Sequence, residues 1–182
     1  SNIDIICNDR TYNISDIKRS TISGDKQIYN IHFADRKAYL ATGFGIVVLD
    51  LVRHEIAETY YLGENGSYEP VYDIAITDTL LLAATEQGLR LAPRGSNRLH
   101  IATTWVLDTL SALAYKPVRF LQSDGNNYLA AYYDTDAQMA RLACCINGVT
   151  GPFSTPGQIL SLQKSCSRYI LTLDAGVYLF NL

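Results

Sequence analysis

Short apolar-rich runs recur along this chain, each bounded by turn residues, and none follows the 3.6-residue period of an amphipathic helix. One set reads Ile28-Tyr29-Asn30-Ile31-His32-Phe33, then Lys37-Ala38-Tyr39-Leu40-Ala41-Thr42, then Gly45-Ile46-Val47-Val48-Leu49-Asp50. It returns as Val71-Tyr72-Asp73-Ile74-Ala75-Ile76, Leu81-Leu82-Ala83-Ala84-Thr85 and Gly88-Leu89-Arg90-Leu91-Ala92. A last copy reads Gln158-Ile159-Leu160-Ser161-Leu162, Tyr169-Ile170-Leu171-Thr172-Leu173 and Gly176-Val177-Tyr178-Leu179-Phe180. Gly45 and Gly88 stand 43 residues apart, and Gly88 and Gly176 stand 88 apart. The period is therefore near 44. Between them lies a diverged copy, Val118-Arg119-Phe120-Leu121-Gln122, Tyr128-Leu129-Ala130-Ala131-Tyr132 and Met139-Ala140-Arg141-Leu142-Ala143-Cys144-Cys145. It lacks the glycine and carries the longer polar turn Asp134-Thr135-Asp136 instead.

Each copy holds three or four strand-like runs. The second run is small and almost wholly apolar, as in a strand buried on both faces. The glycine three residues past the Thr in the first two copies marks a hairpin that needs positive φ. A fourth, more polar run follows, Glu55-Ile56-Ala57-Glu58-Thr59-Tyr60 in one copy and Arg98-Leu99-His100-Ile101-Ala102-Thr103 in the next. Alternating charge of that kind suits an outer edge strand. Four antiparallel strands in about 44 residues make one propeller blade. The predicted fold is all-β, a β-propeller fragment of four-stranded antiparallel blades. Residues 1–22 close one blade, 23–66, 67–106 and 107–153 form three more, and 154–182 supply the inner strands of another. A whole ring commonly has about 6 to 8 blades, so this is roughly half a ring. Thr104 to Tyr115 is the one helical candidate. Ala41, Ala83, Ala130 and Thr172 are expected on tightly packed strands.

At 182 residues and 48% hydrophobic, with 18% charged, the chain can bury a core. Fifteen Lys and Arg against 18 Asp and Glu give a net charge of -3, so no basic stripe for nucleic acid is present. No apolar run of about 18 residues offers a membrane span. The 13 tyrosines suit half-exposed strand positions, where the ring packs and the hydroxyl stays wet. No charged leader precedes the strand-like Ile3-Asp4-Ile5-Ile6-Cys7, and the far end runs Val177-Tyr178-Leu179-Phe180-Asn181-Leu182. Both ends inside strands suggest a piece of a longer protein, with its signal peptide outside this stretch. Such a piece leaves blade faces uncovered, and a homodimer through those faces is expected.

The side chains mark no catalytic, cofactor-binding or metal site. His32, His54 and His100 fall on separate runs with no nucleophile held beside them, and read as exposed strand residues. Asp134 and Asp136 lack the Gly and Glu of a calcium loop, and read as a solvated turn. Cys7, Cys144, Cys145 and Cys166 form no C-x-x-C pair. Adjacent Cys144 and Cys145 would point to opposite faces of a strand; all four read as buried small hydrophobes, with a disulfide to Cys166 as the minority alternative. Asn13-Ile14-Ser15 and Asn65-Gly66-Ser67 match the N-glycan acceptor pattern, which would mean nothing if the protein were bacterial. The candidate ligand or partner loop is the blade-to-blade connection carrying Glu64, Asn65, Tyr68 and Glu69, because such loops line the face where propellers bind.

Tyr39-Leu40-Ala41-Thr42-Gly43-Phe44-Gly45-Ile46-Val47-Val48-Leu49-Asp50-Leu51 and Thr59-Tyr60-Tyr61-Leu62-Gly63-Glu64-Asn65-Gly66 resemble the N-terminal propeller of PorZ-like proteins. Tyr12-Asn13-Ile14-Ser15-Asp16-Ile17 and Ala83-Ala84-Thr85-Glu86-Gln87-Gly88-Leu89 fit the same pattern. The likeness is strongest from Ile3 to Ala92 and weakens after Arg94. It implies a secreted, periplasmic or cell-surface protein of the type IX secretion system. A second propeller and a sorting domain would lie outside this chain. It implies a non-enzymatic role with protein partners or surface glycan and lipopolysaccharide, and no cofactor. Similar repeats occur in periplasmic glycan-sensing regions of hybrid two-component regulators, which remain the alternative.

Overall fold

The computed structural model describes residues 2–7, 9–22, 24–109 and 111–181. The chain divides into two compact units, Ser1–Tyr72 with Asn97–Trp105, and Asp73–Ser96 with Val106–Leu182. The fold is all-β, a β-propeller fragment of four-stranded antiparallel blades, as the repeat predicts.

The first unit opens with a hairpin, β1 (Ile3–Cys7) and β2 (Arg10–Ile14), and a one-turn helix α1 (Asp16–Arg19). A four-stranded sheet follows in sequential order: β3 (Ile28–Ala34), β4 (Lys37–Thr42), β5 (Gly45–Asp50) and β6 (Glu55–Tyr60). From Ala38 to Thr42 every residue of β4 is buried, because the strand is covered on both faces. Ile14 and Ile17 pack with Leu40, Phe44, Val47 and Leu49 in one cluster. Each such aliphatic side chain contributes about 1.5–3 kcal/mol on burial.

Residues 98–103 depart from the predicted outer strand, forming turns and the short 3-10 segment Ala102–Thr104. Trp105 explains this. Its ring is buried 6.0 Å from that of Tyr60, and its indole N–H donates to the carbonyl of Leu99 at 2.9 Å. Burying this large side chain outweighs the strand preference of the polar run. The predicted helix from Thr104 to Tyr115 is also absent. Its described residues form the last residue of that 3-10 segment, a two-residue strand and turns, and Leu110 lies outside them. Asp108 and Ser111 bond the backbone locally, with Oδ1 of Asp108 accepting from Ser111 N at 3.1 Å, which competes with helix formation.

The second unit holds three sheets. The first runs β7 (Val71–Ile76, of which Asp73 onward falls in this unit), β8 (Leu80–Thr85), β9 (Gly88–Pro93) and β10 (Val106–Leu107). Next come β11 (Val118–Asp124), β12 (Asn127–Asp134), β13 (Met139–Ile146) and β14 (Val149–Ser154). The last has β15 (Ile159–Ser165), β16 (Arg168–Leu173) and β17 (Gly176–Phe180). Leu182, the final residue of the strand-like end, lies outside the described residues.

Successive side chains of β12 show how the sheets stack. Tyr128, Ala130 and Tyr132 pack with Leu82, Ala84 and Leu113 on one side. Leu129 and Ala131 pack with Leu162, Tyr169 and Leu171 on the other. Cys145 and Cys144 divide between the same two clusters, so the adjacent thiols do face opposite ways. Cys145 is buried and Cys144 half-buried, whereas Cys7, at the end of β1, and Cys166, in the turn between β15 and β16, are exposed, contrary to the all-buried reading. Hydrogen bonds also tie sheet to sheet. Leu121 N donates to Oδ2 of buried Asp73 at 2.7 Å, Ser123 Oγ to Ile76 O at 2.7 Å, and Asp78 N to Gly125 O at 3.1 Å. Ala41, Ala83 and Ala130 are fully buried, while Thr172 is only half-buried.

Candidate functional site

The connection after β6 belongs to the first unit and is built by its own backbone. Gly63 N donates to Ser67 O at 3.1 Å, Gly66 N to Gly63 O at 2.9 Å, and Ser67 N to Glu64 O at 3.1 Å. Asn65 and Gly66 take left-handed φ values of 56° and 77°, the reason an Asn-Gly pair stands here. A Cβ at Gly63 would run into the Ser67 hydroxyl and carbonyl, so the loop closes only around glycine. Glu64, Asn65 and Tyr68 are exposed, whereas Glu69 is 4% exposed and turned inward. With Ser67 also exposed, the loop shows three polar side chains and one aromatic ring to solvent.

Tyr68, 45% exposed, is part of an aromatic cluster that its sequence neighbourhood does not reveal. Its ring lies 5.4 Å from that of Tyr61 and 6.5 Å from that of buried Phe44. Burial pushes the Tyr61 phenol up, with the neighbouring Tyr68 adding to it. Next to them, Tyr29 and Tyr72 stand 5.1 Å apart, centroid to centroid, at equivalent positions of two repeats. The Tyr29 hydroxyl donates to Asp25 Oδ2 at 2.8 Å, and that bond, with another from Gln27 N, holds the Asp25 carboxyl below its ordinary range. A Cβ on Gly24 would stand 3.7 Å from the Tyr68 ring, which places the Asp25 segment beside the loop. The repeat of tyrosine after the first apolar residue of the inner strand was the available signal for Tyr29 and Tyr72. Phe44 and Tyr61 carried none. With carboxylates at Asp25 and Glu64 and several ring faces, this end of the unit offers apolar contact with acceptors at its rim.

The remaining sequence candidates are held elsewhere. Asp134 is gripped rather than solvated. Lys116 Nζ lies 3.0 Å from its Oδ1 and Arg141 Nε 2.9 Å from its Oδ2, while Asp136 N and Ala137 N donate to it at 3.2 and 3.3 Å. The Lys116 ammonium, with those amides, holds the carboxyl below the usual carboxylate range. Of the histidines only His32 lies in a strand. His54 sits in a turn with its ring stacked 3.8 Å from that of Tyr12, and His100 is exposed in a turn. Among the described residues no three His, Cys, Asp or Glu side chains gather where a metal ion would sit, and no helix is long and apolar enough to cross a membrane.

The PorZ N-terminal β-propeller domain of the type IX secretion system matches residues 1–106, more than half of the chain. The chain belongs to the PorZ N-terminal β-propeller family. It resembles the solved structure of PorZ, described as an essential bacterial surface component of the type IX secretion system of Porphyromonas gingivalis, with TM-score 0.71 and 23% identity. That likeness covers 100% of this chain and 24% of PorZ, so the chain spans about a quarter of that relative's length. The extracellular domain of a putative hybrid two-component system from B. thetaiotaomicron is similar at TM-score 0.63 and 13% identity, over 88% of this chain and 21% of its own. A computationally designed protein, Ika4, matches at TM-score 0.57 and 10% identity over 86% of this chain and 92% of its own. At such identities these structures share the fold alone. No curated protein sequence matches. The match spans the aromatic end of the first unit, which is the candidate site.

Proposed function

We propose that this PorZ-family propeller is a non-catalytic interaction module of a secreted or cell-surface protein, an accessory of the type IX secretion system that handles cargo or surface lipopolysaccharide. The observation that carries the reading is the family match over residues 1–106, which includes the whole Glu64–Glu69 loop and the rings of Tyr29, Phe44, Tyr61, Tyr68 and Tyr72. The exposed ring of Tyr68, with the half-buried rings of Tyr29, Tyr61 and Tyr72 near it and a loop closed by its own backbone hydrogen bonds, suits a contact surface, because large rings bury much area at small entropic cost. Complementation tests it. A type IX-secreting bacterium lacking the full-length protein is given the wild type or the Tyr61→Ala, Tyr68→Ala double variant. Cargo should reach the surface with the wild type and accumulate in the periplasm with the variant. Normal cargo display in the deletion strain would refute the secretion reading, and normal display in the variant would refute the role of this face.

The similarity to the two-component extracellular domain supports a second reading, a periplasmic glycan-sensing propeller. The sequence downstream in the gene discriminates: a membrane helix and kinase favour the sensor, a sorting domain the secretion accessory. We further propose that the 182-residue piece, made alone, pairs with a second copy through its apolar edge, where Val177 is 65% and Leu179 61% exposed. Light scattering showing a stable monomer of 20.2 kDa would remove that idea.

A further inference from the structure

The second unit contains a cleft of about 760 Å³ that no sequence motif announces. It opens where the repeat is broken. In the regular copies a two-residue turn joins the second and third strands, as Gly43 and Phe44 do between paired Thr42 and Gly45. Here β12 and β13 run on to a pair at Asp134 and Met139, and four residues make the turn. That longer hairpin raises one wall. The carboxylate of Asp134 and the Gln138 amide, which donates to Thr135 O at 2.7 Å, hold the wall in place. The cleft's volume is that of an ordinary small-molecule site.

Its lining selects the ligand chemistry. Phe120 and Ile159 are among its apolar lining, and Tyr133, 39% exposed, lines it with its hydroxyl 3.5 Å from Gln138 Oε1. Arg119 and Glu86 also line it, Arg119 Nη2 donating to Glu86 Oε2 at 2.7 Å with both side chains about half exposed. One positive and one negative planar group already face each other, so the rim has no surplus charge for an ion. An anion would compete with Glu86 for Arg119, and a purely apolar guest would desolvate the pair without replacing its water. A molecule with an apolar C–H face and a hydroxylated edge meets every group present. Its face stacks on Tyr133, and adjacent hydroxyls bridge the guanidinium donors and the carboxylate and amide acceptors.

We propose that this cleft binds a neutral saccharide through Tyr133, Gln138 and the Arg119–Glu86 pair. The proposal rests on reading the chain as a non-catalytic binding module, and deepens it by assigning one ligand class to one site. The test applies the 182-residue protein to an array of neutral and anionic oligosaccharides, then titrates the sugar best retained. Neutral sugars should be retained. Tyr133→Ala and Arg119→Lys should each weaken binding about tenfold, the second because an ammonium lacks the planar fork. Tyr133→Phe should bind nearly as wild type, and Tyr68→Ala in the other unit should bind as wild type. Circular dichroism of each variant separates misfolding from lost contact. Retention of no oligosaccharide, retention of anionic ones alone, or indifference to both Tyr133→Ala and Arg119→Lys would overturn the proposal. Mass spectrometry of the bound sugar keeps the two readings apart. Cleaved product would sink the non-catalytic reading and leave the cleft, whereas failure to bind leaves the secretion reading to the complementation test.

Discussion

The sheet of β3 to β6 and the sheet of β11 to β14 begin alike and finish differently. In the first, Thr42 Oγ1 donates to Gly45 O at 2.8 Å across a two-residue turn, and Thr85 Oγ1 repeats the bond to Gly88 O at 2.8 Å in the next copy. A threonine and a left-handed glycine close both hairpins. The later sheet has neither. Tyr132 stands where the threonine was, and an aspartate clasped by Lys116 and Arg141 takes over the closing role two residues on. Below this turn the two sheets agree again. Tyr133 N donates to Pro117 O at 2.8 Å as Gly43 N does to Gln27 O at 3.0 Å. The comparison teaches that this fold tolerates a new turn when a charged hub replaces the short hydrogen bond, and that a cleft comes with it.

Substitutions can press on each side of that contrast. The largest loss is expected for Gly45→Ala. Its φ of 143° is hostile to a side chain, and the new Cβ would strike the Tyr60 carbonyl. Upwards of about 3 kcal/mol should go, read from urea unfolding. Gly176→Ala, at φ 153° but with open space around it, should lose only about 1–2 kcal/mol, which separates strain from clash. Asp134→Asn comes next, removing the carboxylate that Lys116 and Arg141 share, while Asp136 stays 3.9 Å from Lys116 Nζ. Because the folded carboxyl titrates below its ordinary value, its stabilisation is present above the usual carboxylate range and fades as pH falls through the folded value. Thermal melts from pH 7 down to pH 2 should therefore show a wild-type advantage that narrows in acid; a constant gap would count against the hub. Ala83→Leu, at a fully buried position, should overpack by about 1–3 kcal/mol, and an unchanged Tm would contradict the two-sided burial of β8. The smallest effect is expected for Thr42→Val and Thr85→Val. Each should lose about 1 kcal/mol, in equal measure if the two bonds are the same device.

Most of the strand pattern was readable from the chain because each strand is short, apolar and flanked by turn residues. Lys37–Thr42 and Gly45–Asp50 carry their own instructions in small side chains and one glycine. Residues 98–103 do not. Their conformation depends on where Trp105 is buried, a tertiary fact that alternating polarity cannot express. The candidate loop was visible as exposed turn chemistry at Glu64, Asn65 and Tyr68, but nothing local said that Glu69 would turn inward or that Phe44 and Tyr61 would back the Tyr68 ring. The cleft was invisible for a similar reason. Asp134 looked like a solvated turn until Lys116 and Arg141, 18 residues before and 7 after, were seen on its two oxygens.

Each of three inner strands slips its pairing by one residue near its start, between Ile28 and Asn30, Val118 and Phe120, and Ile159 and Ser161. The slip lies directly beneath the turn that varies from copy to copy. A bulge absorbs one residue of mismatch locally and re-aims the strand beyond it. It therefore works as an expansion joint: whatever length or shape is placed above it, the register of the blade below is not disturbed. An ancestral blade copied along a chain could then be decorated at one end without refolding the rest. The same joint makes the Gly43–Phe44 turn a place to graft the longer Asp134 hairpin and engineer a second cleft.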